Sequence, residues 1–183
     1  YKGKVSRIEQ SLGAAFINYG AERHGFLPFK EIAPQYYPEK NNRKARLSVS
    51  DCLKKDQEIL VQVEKDERGN KGAALTTNIS LAGRYLVLMP NNPKAAGISR
   101  RLEGKEREKL KERIASLNVP ESMGLIVRTA GEGKELDDLR WDLEYLQRVW
   151  EGINEANTLR NAPILIFKES DIIIRALRDY LKE

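Results

Sequence analysis

Ile59-Leu60-Val61-Gln62-Val63-Glu64, then Arg68-Gly69-Asn70, then Ala73-Ala74-Leu75-Thr76-Thr77 is the stretch whose reading decides the first half of the chain. Ile59, Val61 and Val63 alternate with Leu60, Gln62 and Glu64, the period of a strand with one face buried. Arg68-Gly69-Asn70 is a polar turn, and Ala73 to Thr77 returns as a second strand, so the segment predicts a β-hairpin with a polar tip. Upstream, Lys2 to Ile8 alternates around Val5 and Ile8. Ala14 to Tyr19 is a second apolar run and His24 to Pro28 a third, with Gly13, Gly20 and Gly25 as turns or bulges. Residues 33–50 carry Pro34, Pro38, Asn41, Asn42 and a cluster of lysines and arginines, and read as a long basic loop. Five short strands with glycine-containing turns and one long connection predict a small barrel of the OB type.

The character changes after about residue 78. Arg84 to Met89 predicts a strand, stopped by Pro90-Asn91-Asn92-Pro93. Leu110, Ile114 and Leu117 lie on one side of a helix over Lys105 to Leu117, with Lys and Glu outside. Met123 to Val127 predicts a strand. Leu136, Leu139, Leu143, Leu146, Trp150 and Ile153 recur at three- and four-residue spacing and predict a long helix over roughly 135–157. Ile164 to Phe167 predicts another strand, and Asp171 to Leu181 a helix capped by Ser170 or Asp171. Strands and helices do not alternate strictly enough for a parallel sheet, so this half predicts an α+β unit. The expected division is 1–77, 78–173 and a short remainder, 174–183.

The chain has 183 residues and a net charge of +5. Residues 1–77 hold 14 Lys+Arg against 10 Asp+Glu, a net of +4, so the basic excess belongs to the barrel. A polyanion is therefore a plausible partner for that half. Cys52 is the single cysteine, which excludes an intrachain disulfide and any cysteine-based zinc site within one chain. A cytoplasmic protein is expected. No apolar run approaches the ~20 residues of a membrane span, and no membrane contact is expected. Tyr1 stands almost inside a strand, so a piece of a longer protein is expected.

The sharpest chemistry lies in Gly124-Leu125-Ile126-Val127-Arg128-Thr129-Ala130-Gly131. An apolar strand ends in a guanidinium, a hydroxyl and a glycine-containing turn with free backbone N–H groups. That set suits an anion such as a phosphate, since a guanidinium binds two oxygens through parallel N–H bonds. A strand-end arginine in a surface salt bridge fits the spacing equally well. Arg100 and Arg101 are further phosphate candidates, or the solvated start of a helix. In the barrel, Phe16 shares its face with Ala14 and Asn18, the setting of an outward aromatic on which a base can stack. A core place for Phe16 and Phe26 is the alternative. Lys71, beside the hairpin turn, could meet phosphate. His24, the one histidine, has no Cys or His companion for a metal and no nucleophile to serve. Asp137 and Asp138 open a helix, where they compensate its dipole.

Taken together, Glu22-Arg23-His24-Gly25-Phe26-Leu27-Pro28, Glu67 to Thr77, Val87-Leu88-Met89-Pro90-Asn91-Asn92, Gly97-Ile98-Ser99-Arg100-Arg101 and Gly124 to Gly131 resemble the bacterial ribonuclease E/G family, in the same order and over essentially the whole chain. The resemblance implies an S1 RNA-binding barrel followed by a domain that senses the RNA 5′ end. The parent would be an endoribonuclease that cuts single-stranded, often AU-rich RNA in messenger decay and in ribosomal and transfer RNA maturation.

By match to the family motifs, Arg128 and Thr129 would hold a 5′ monophosphate. Gly83 and Val87 would line the pocket, Arg100 would lie close by, and Phe16, Phe26 and Lys71 would contact RNA. The catalytic aspartates that bind magnesium, and the cysteine pair that shares zinc between subunits of a homotetramer, would lie outside this chain. Residues 174–183 would begin an RNase H-like subdomain. No catalytic residue is expected within the chain, nor any cofactor of its own. The rival readings are a stand-alone S1-type RNA-binding protein without nuclease activity and a module whose second half docks protein.

Overall fold

The structure is a computed structural model that describes residues 1–38 and 47–169. In the first half, β1 (Lys2–Glu9), β2 (Ala14–Asn18) and β3 (Gly25–Pro28) are followed by the single-turn helix α1 (Val49–Cys52), then β4 (Glu58–Leu60), β5 (Gln62–Lys65) and β6 (Ala74–Thr76). They form one six-stranded sheet in the order β4-β1-β2-β3-β6-β5. The two edge strands, β4 and β5, are joined only by Val61, so the sheet curls back on itself as an OB-type barrel wall. Taking β4 and β5 as one bent strand recovers the expected count of five. The alternation from Ile59 to Glu64 is thus shared between two neighbours: β4 pairs with β1, and β5 forms the expected hairpin with β6.

Val5, Ile17, Leu27, Ile32, Ile59 and Leu75 fill the barrel, each 2% exposed or less. Burial of such aliphatic side chains, about 1.5–3 kcal/mol each, is what holds a small barrel together. The helix Val49–Cys52 begins inside the expected loop 33–50 and runs past its end. Its first turn is closed by the Ser48 N–H donating to the Asp51 carboxylate at 2.7 Å. Residues 39–46 of that loop lie outside the described residues.

The second half contains β7 (Leu81–Ala82), β8 (Leu86–Met89), β9 (Gly97–Ile98), α2 (Gly104–Ala115), β10 (Gly124–Val127) and α3 (Leu136–Leu159). The sheet order is β7-β8-β10-β9, antiparallel except for the β10–β9 pair. Leu86, Leu88, Leu125 and Val127 share one core with Leu110 of α2 and with Leu139, Leu143, Leu146 and Ile153 of α3. The α+β expectation holds, and both long helices fall where their periodicity places them. Leu60 of the barrel also joins this core, so the two halves meet through apolar packing.

One expected strand does not form. Of Ile164 to Phe167, only Ile164 pairs, exchanging backbone hydrogen bonds of 2.9 and 3.0 Å with Lys2. β2 takes that edge of β1 from Lys4 onward, which leaves one residue free to accept a partner. The expected helix from Asp171 and the remainder 174–183 lie outside the described residues.

Candidate RNA-binding site

A row of side chains crosses the outside of the barrel. Arg7 of β1 stands opposite Phe16 of β2, Phe16 opposite Phe26 of β3, and Phe26 opposite Ala74 of β6. The Phe16 and Phe26 rings meet edge to face with centroids 5.8 Å apart. The Arg7 guanidinium lies 4.7 Å over the Phe16 ring, within cation–π range. Both phenylalanines are half-buried, while Ile17, the next residue of β2, is fully buried in the core. The outward reading of Phe16 therefore holds, and a fully buried core place for the pair does not.

The hairpin tip borders this row. Gly69 takes φ +58° at the turn, Arg68 and Lys71 close it by backbone hydrogen bonds of 3.1 Å, and the Arg23 guanidinium donates to the Gly69 carbonyl. The Lys71 side chain is exposed, and none of the described residues bonds its ammonium. His24 is exposed too, with Nδ1 2.9 Å from Ser6 Oγ, and Ser6 donates to the Phe16 carbonyl at 2.9 Å. The histidine thus borders the aromatic row through one serine.

A second group gathers at the end of β10. The Arg128 N–H donates to the Tyr85 carbonyl at 2.8 Å, extending the ladder one residue beyond Val127. Its side-chain Nη1 donates to the carbonyls of Gly83 and Arg84. Among the described residues Nε and Nη2 have no partner, so one two-pronged edge of the guanidinium remains for an anion. A 3₁₀ turn over Thr129–Gly131 follows. The Thr129 hydroxyl lies 3.1 Å from that of Ser99, and Ser99 is pinned by its own N–H donating to the Val127 carbonyl at 2.8 Å. The Arg101 N–H approaches Ser99 Oγ at 3.4 Å.

Apolar residues floor this group. Val87 is paired with Ala82 on one side and Ile126 on the other, and Ile126 with Gly97. Val87 and Ile126 are half-buried, whereas their neighbours Leu86, Leu88, Leu125 and Val127 point into the core, so Val87 and Ile126 lie on the outer face. Ile126 and Arg128 share that face by alternation.

The model of the S1 RNA binding domain matches residues 1–78, and that of the Ribonuclease E/G family matches residues 80–183. The chain belongs to the ribonuclease E/G family. It is 61% identical to ribonuclease E of Haemophilus influenzae over 182 residues, which is 100% of this chain and 20% of that protein. It is equally 61% identical over 183 residues to ribonuclease E of Escherichia coli K12, 100% of this chain and 17% of that protein. Ribonuclease G of Salmonella typhimurium is 38% identical over 184 residues, 98% of this chain and 37% of that protein. The chain thus spans about a fifth of the ribonuclease E relatives it matches.

Four residues expected from the ribonuclease E/G resemblance, Gly83, Val87, Arg128 and Thr129, come together at the ends of β8 and β10. Arg100 is exposed beside Ser99 and makes no hydrogen bond or ion pair with a described residue. Phe16 and Phe26 form one face, and Lys71 stands three residues before Ala74, the residue opposite Phe26. No hydrogen bond or ion pair joins the two groups among the described residues. A cleft of about 410 Å³, lined by Tyr1, Leu60, Ile79, Tyr145 and Phe167 among others, contains none of these residues.

Three contributors are absent from the sequence reading. Arg7 looked like any charged residue of an alternating strand. Ser99 looked like a loop residue before two arginines. Asp142, 1% exposed, accepts hydrogen bonds from the backbone N–H groups of Arg84, Tyr85 and Leu86 at 2.8–2.9 Å. Its signal was present: an aspartate three residues after Leu139 and four before Leu146 sits on the buried face of α3. No helix among the described residues is long and apolar enough to cross a membrane. Nor do they include a group of three or more His, Cys, Asp or Glu able to hold a metal ion.

Proposed function

We propose that this chain is the RNA-binding and 5′-monophosphate-sensing part of a single-strand-specific endoribonuclease of the ribonuclease E/G type. The observation that carries the reading is the state of Arg128. Its Nη1 is held by the carbonyls of Gly83 and Arg84, which fixes the plane of the guanidinium. The remaining donors are exposed beside the Thr129 hydroxyl and the outer apolar face of Val87 and Ile126. One phosphate matches one fork and one hydroxyl, and the terminal nucleotide rests on Val87, with Gly83 shaping the wall and Arg100 adding charge. A triphosphate adds charge and bulk that such a pocket cannot house.

The barrel supplies the rest of the affinity. Bases stack on Phe16 and Phe26, and Lys71 meets the backbone. Holding the 5′ end raises the effective concentration of the downstream strand at a distant catalytic centre, so sensing becomes tethering. The units in this reading are an S1 barrel over 1–77 and a sensor over 78–173, with 174–183 opening an RNase H-like subdomain. The parent would act in the cytoplasm as a homotetramer in messenger decay and in ribosomal and transfer RNA processing. Magnesium and zinc would be held by its other parts, and this chain alone would bind RNA without cutting it. A stand-alone S1 protein would have no use for the second half.

The test is ³¹P NMR of a short RNA bearing a 5′ monophosphate. Its terminal resonance should shift when the chain is added and stay unmoved with Arg128→Ala, although that variant still binds the RNA. An equal shift with both proteins would place the phosphate elsewhere. Magnesium-dependent cleavage by the purified chain would contradict the assignment of catalysis to other parts.

A further inference from the structure

The Asp142 carboxylate is buried at a position of α3 where the helix otherwise presents Leu139, Leu143 and Leu146 to the core. A leucine there would serve packing, whereas a buried carboxylate has to be met by donors. The donors are backbone N–H groups. Oδ1 accepts from Arg84 at 2.9 Å, and Oδ2 accepts from Tyr85 at 2.8 Å and Leu86 at 2.9 Å. The same turn supplies the carbonyls of Gly83 and Arg84 that hold Arg128 Nη1. Peptide units are rigid, so fixing the N–H groups of residues 84–86 also fixes the direction of the carbonyls of residues 83–85, because each carbonyl belongs to the same peptide plane as the next N–H. Gly83 completes the arrangement. A Cβ on it would lie 2.4–2.5 Å from both carboxylate oxygens, so the loop can approach Asp142 this closely only without a side chain there.

We infer that Asp142 is a positioning residue for the 5′-phosphate site, acting through the Gly83–Leu86 turn to orient the Arg128 guanidinium. The inference rests on the reading of Arg128 as the phosphate ligand. Asp142 touches no ligand in this arrangement. It aims the carbonyls, and the carbonyls aim the fork. An asparagine of the same shape cannot replace it. With the amide oxygen facing Tyr85 and Leu86, the amide nitrogen meets the Arg84 N–H, donor against donor.

The experiment compares the 5′-monophosphate and 5′-hydroxyl forms of one short single-stranded RNA by fluorescence anisotropy. The proteins are the whole chain, Asp142→Asn, Arg128→Ala and the double variant. Asp142→Asn is expected to lose about tenfold of the monophosphate preference, the order of one misaligned charge-assisted contact, with affinity for the 5′-hydroxyl RNA unchanged. The double variant is expected to be no worse than Arg128→Ala. In ¹⁵N NMR, the Arg128 Nη signals should be distinct in the wild type, where rotation is hindered, and averaged in Asp142→Asn; a merely structural aspartate would not change them. Full preference in a folded Asp142→Asn, or additive losses in the double variant, overturns the inference. Should Asp142→Asn fail to fold, Gly83→Ala presses on the same carboxylate from the loop side and must average the Arg128 Nη signals; distinct signals there overturn it equally. A wild type without preference, or an Arg128→Ala that keeps it, overturns the phosphate reading itself and this inference with it.

Discussion

Phe16 and Phe26 face each other across the β2–β3 ladder, with ring centroids 5.8 Å apart at an interplanar angle of 67°. Each is half-buried, so each ring packs one part against the barrel and offers another to a ligand. Replacing either by alanine is expected to weaken single-stranded RNA binding by about 1–3 kcal/mol, the range for one base–aromatic stack. The loss should be equal for RNAs with and without a 5′ phosphate. Anisotropy titrations with both RNAs check this, and a loss confined to the phosphorylated RNA would contradict it.

Arg7 extends that platform with a guanidinium 4.7 Å over the Phe16 ring. Arg7→Ala should weaken RNA binding and reduce the log–log salt slope by about 0.7, the value for one contact to single-stranded phosphate. A lower affinity at an unchanged slope would mean that Arg7 only supports the ring.

Gly72 permits the hairpin to lie against β3. A Cβ there would come within 2.3 Å of the His24 carbonyl oxygen, which is backbone and cannot swing aside. Gly72→Ala is expected to destabilise the chain by about 1–3 kcal/mol and to weaken RNA binding by shifting the tip that carries Lys71. Thermal unfolding and RNA titration measure the two effects, and an unchanged melting temperature would contradict the close approach.

Glu58 clamps β4 to the segment that follows α3. Its carboxylate accepts from the Lys2 ammonium at 2.8 Å and from the Ala162 N–H at 3.0 Å, which holds its pKa below the ordinary carboxylate value. A carboxylate whose pKa is lowered by folding stabilises the native state above its unfolded pKa, and that contribution disappears as pH falls through the folded value. The melting-temperature gap between wild type and Glu58→Gln should therefore be widest near neutral pH and close below the usual glutamate range, about pH 4. A gap that widens on acidification would reverse the sign of the argument.

Much of this architecture was legible because it depends on local order. Alternation around Val61 and the Arg68-Gly69-Asn70 turn marked the hairpin, and the Leu139–Leu143–Leu146–Ile153 spacing marked α3. The strand end at Arg128 was legible for the same reason, since an apolar run followed by a cation and a turn is written in consecutive residues. Contributions that depend on register were not. A shift in pairing between Val5 and Arg7 brings Arg7 opposite Phe16, and no alternation rule reveals such a shift. Asp142 meets backbone groups 56–58 residues away, and those partners have no side-chain signature. Ile164 to Phe167 has strand composition, but β2 covers the neighbouring edge of β1 from Lys4 onward, so the pairing stops at Lys2 and Ile164.

The central claim is that the two halves read different parts of one RNA, the barrel its bases and the strand end its 5′ phosphate. The direct measurement is anisotropy of a short AU-rich RNA with either a 5′ monophosphate or a 5′ hydroxyl, on the wild type and on Arg128→Ala/Thr129→Val. The account predicts tighter binding of the monophosphate by the wild type, and a double variant that binds both RNAs as the wild type binds the hydroxyl form. Equal binding of the two RNAs by the wild type would contradict it and leave only an S1 barrel that binds RNA without regard to its end.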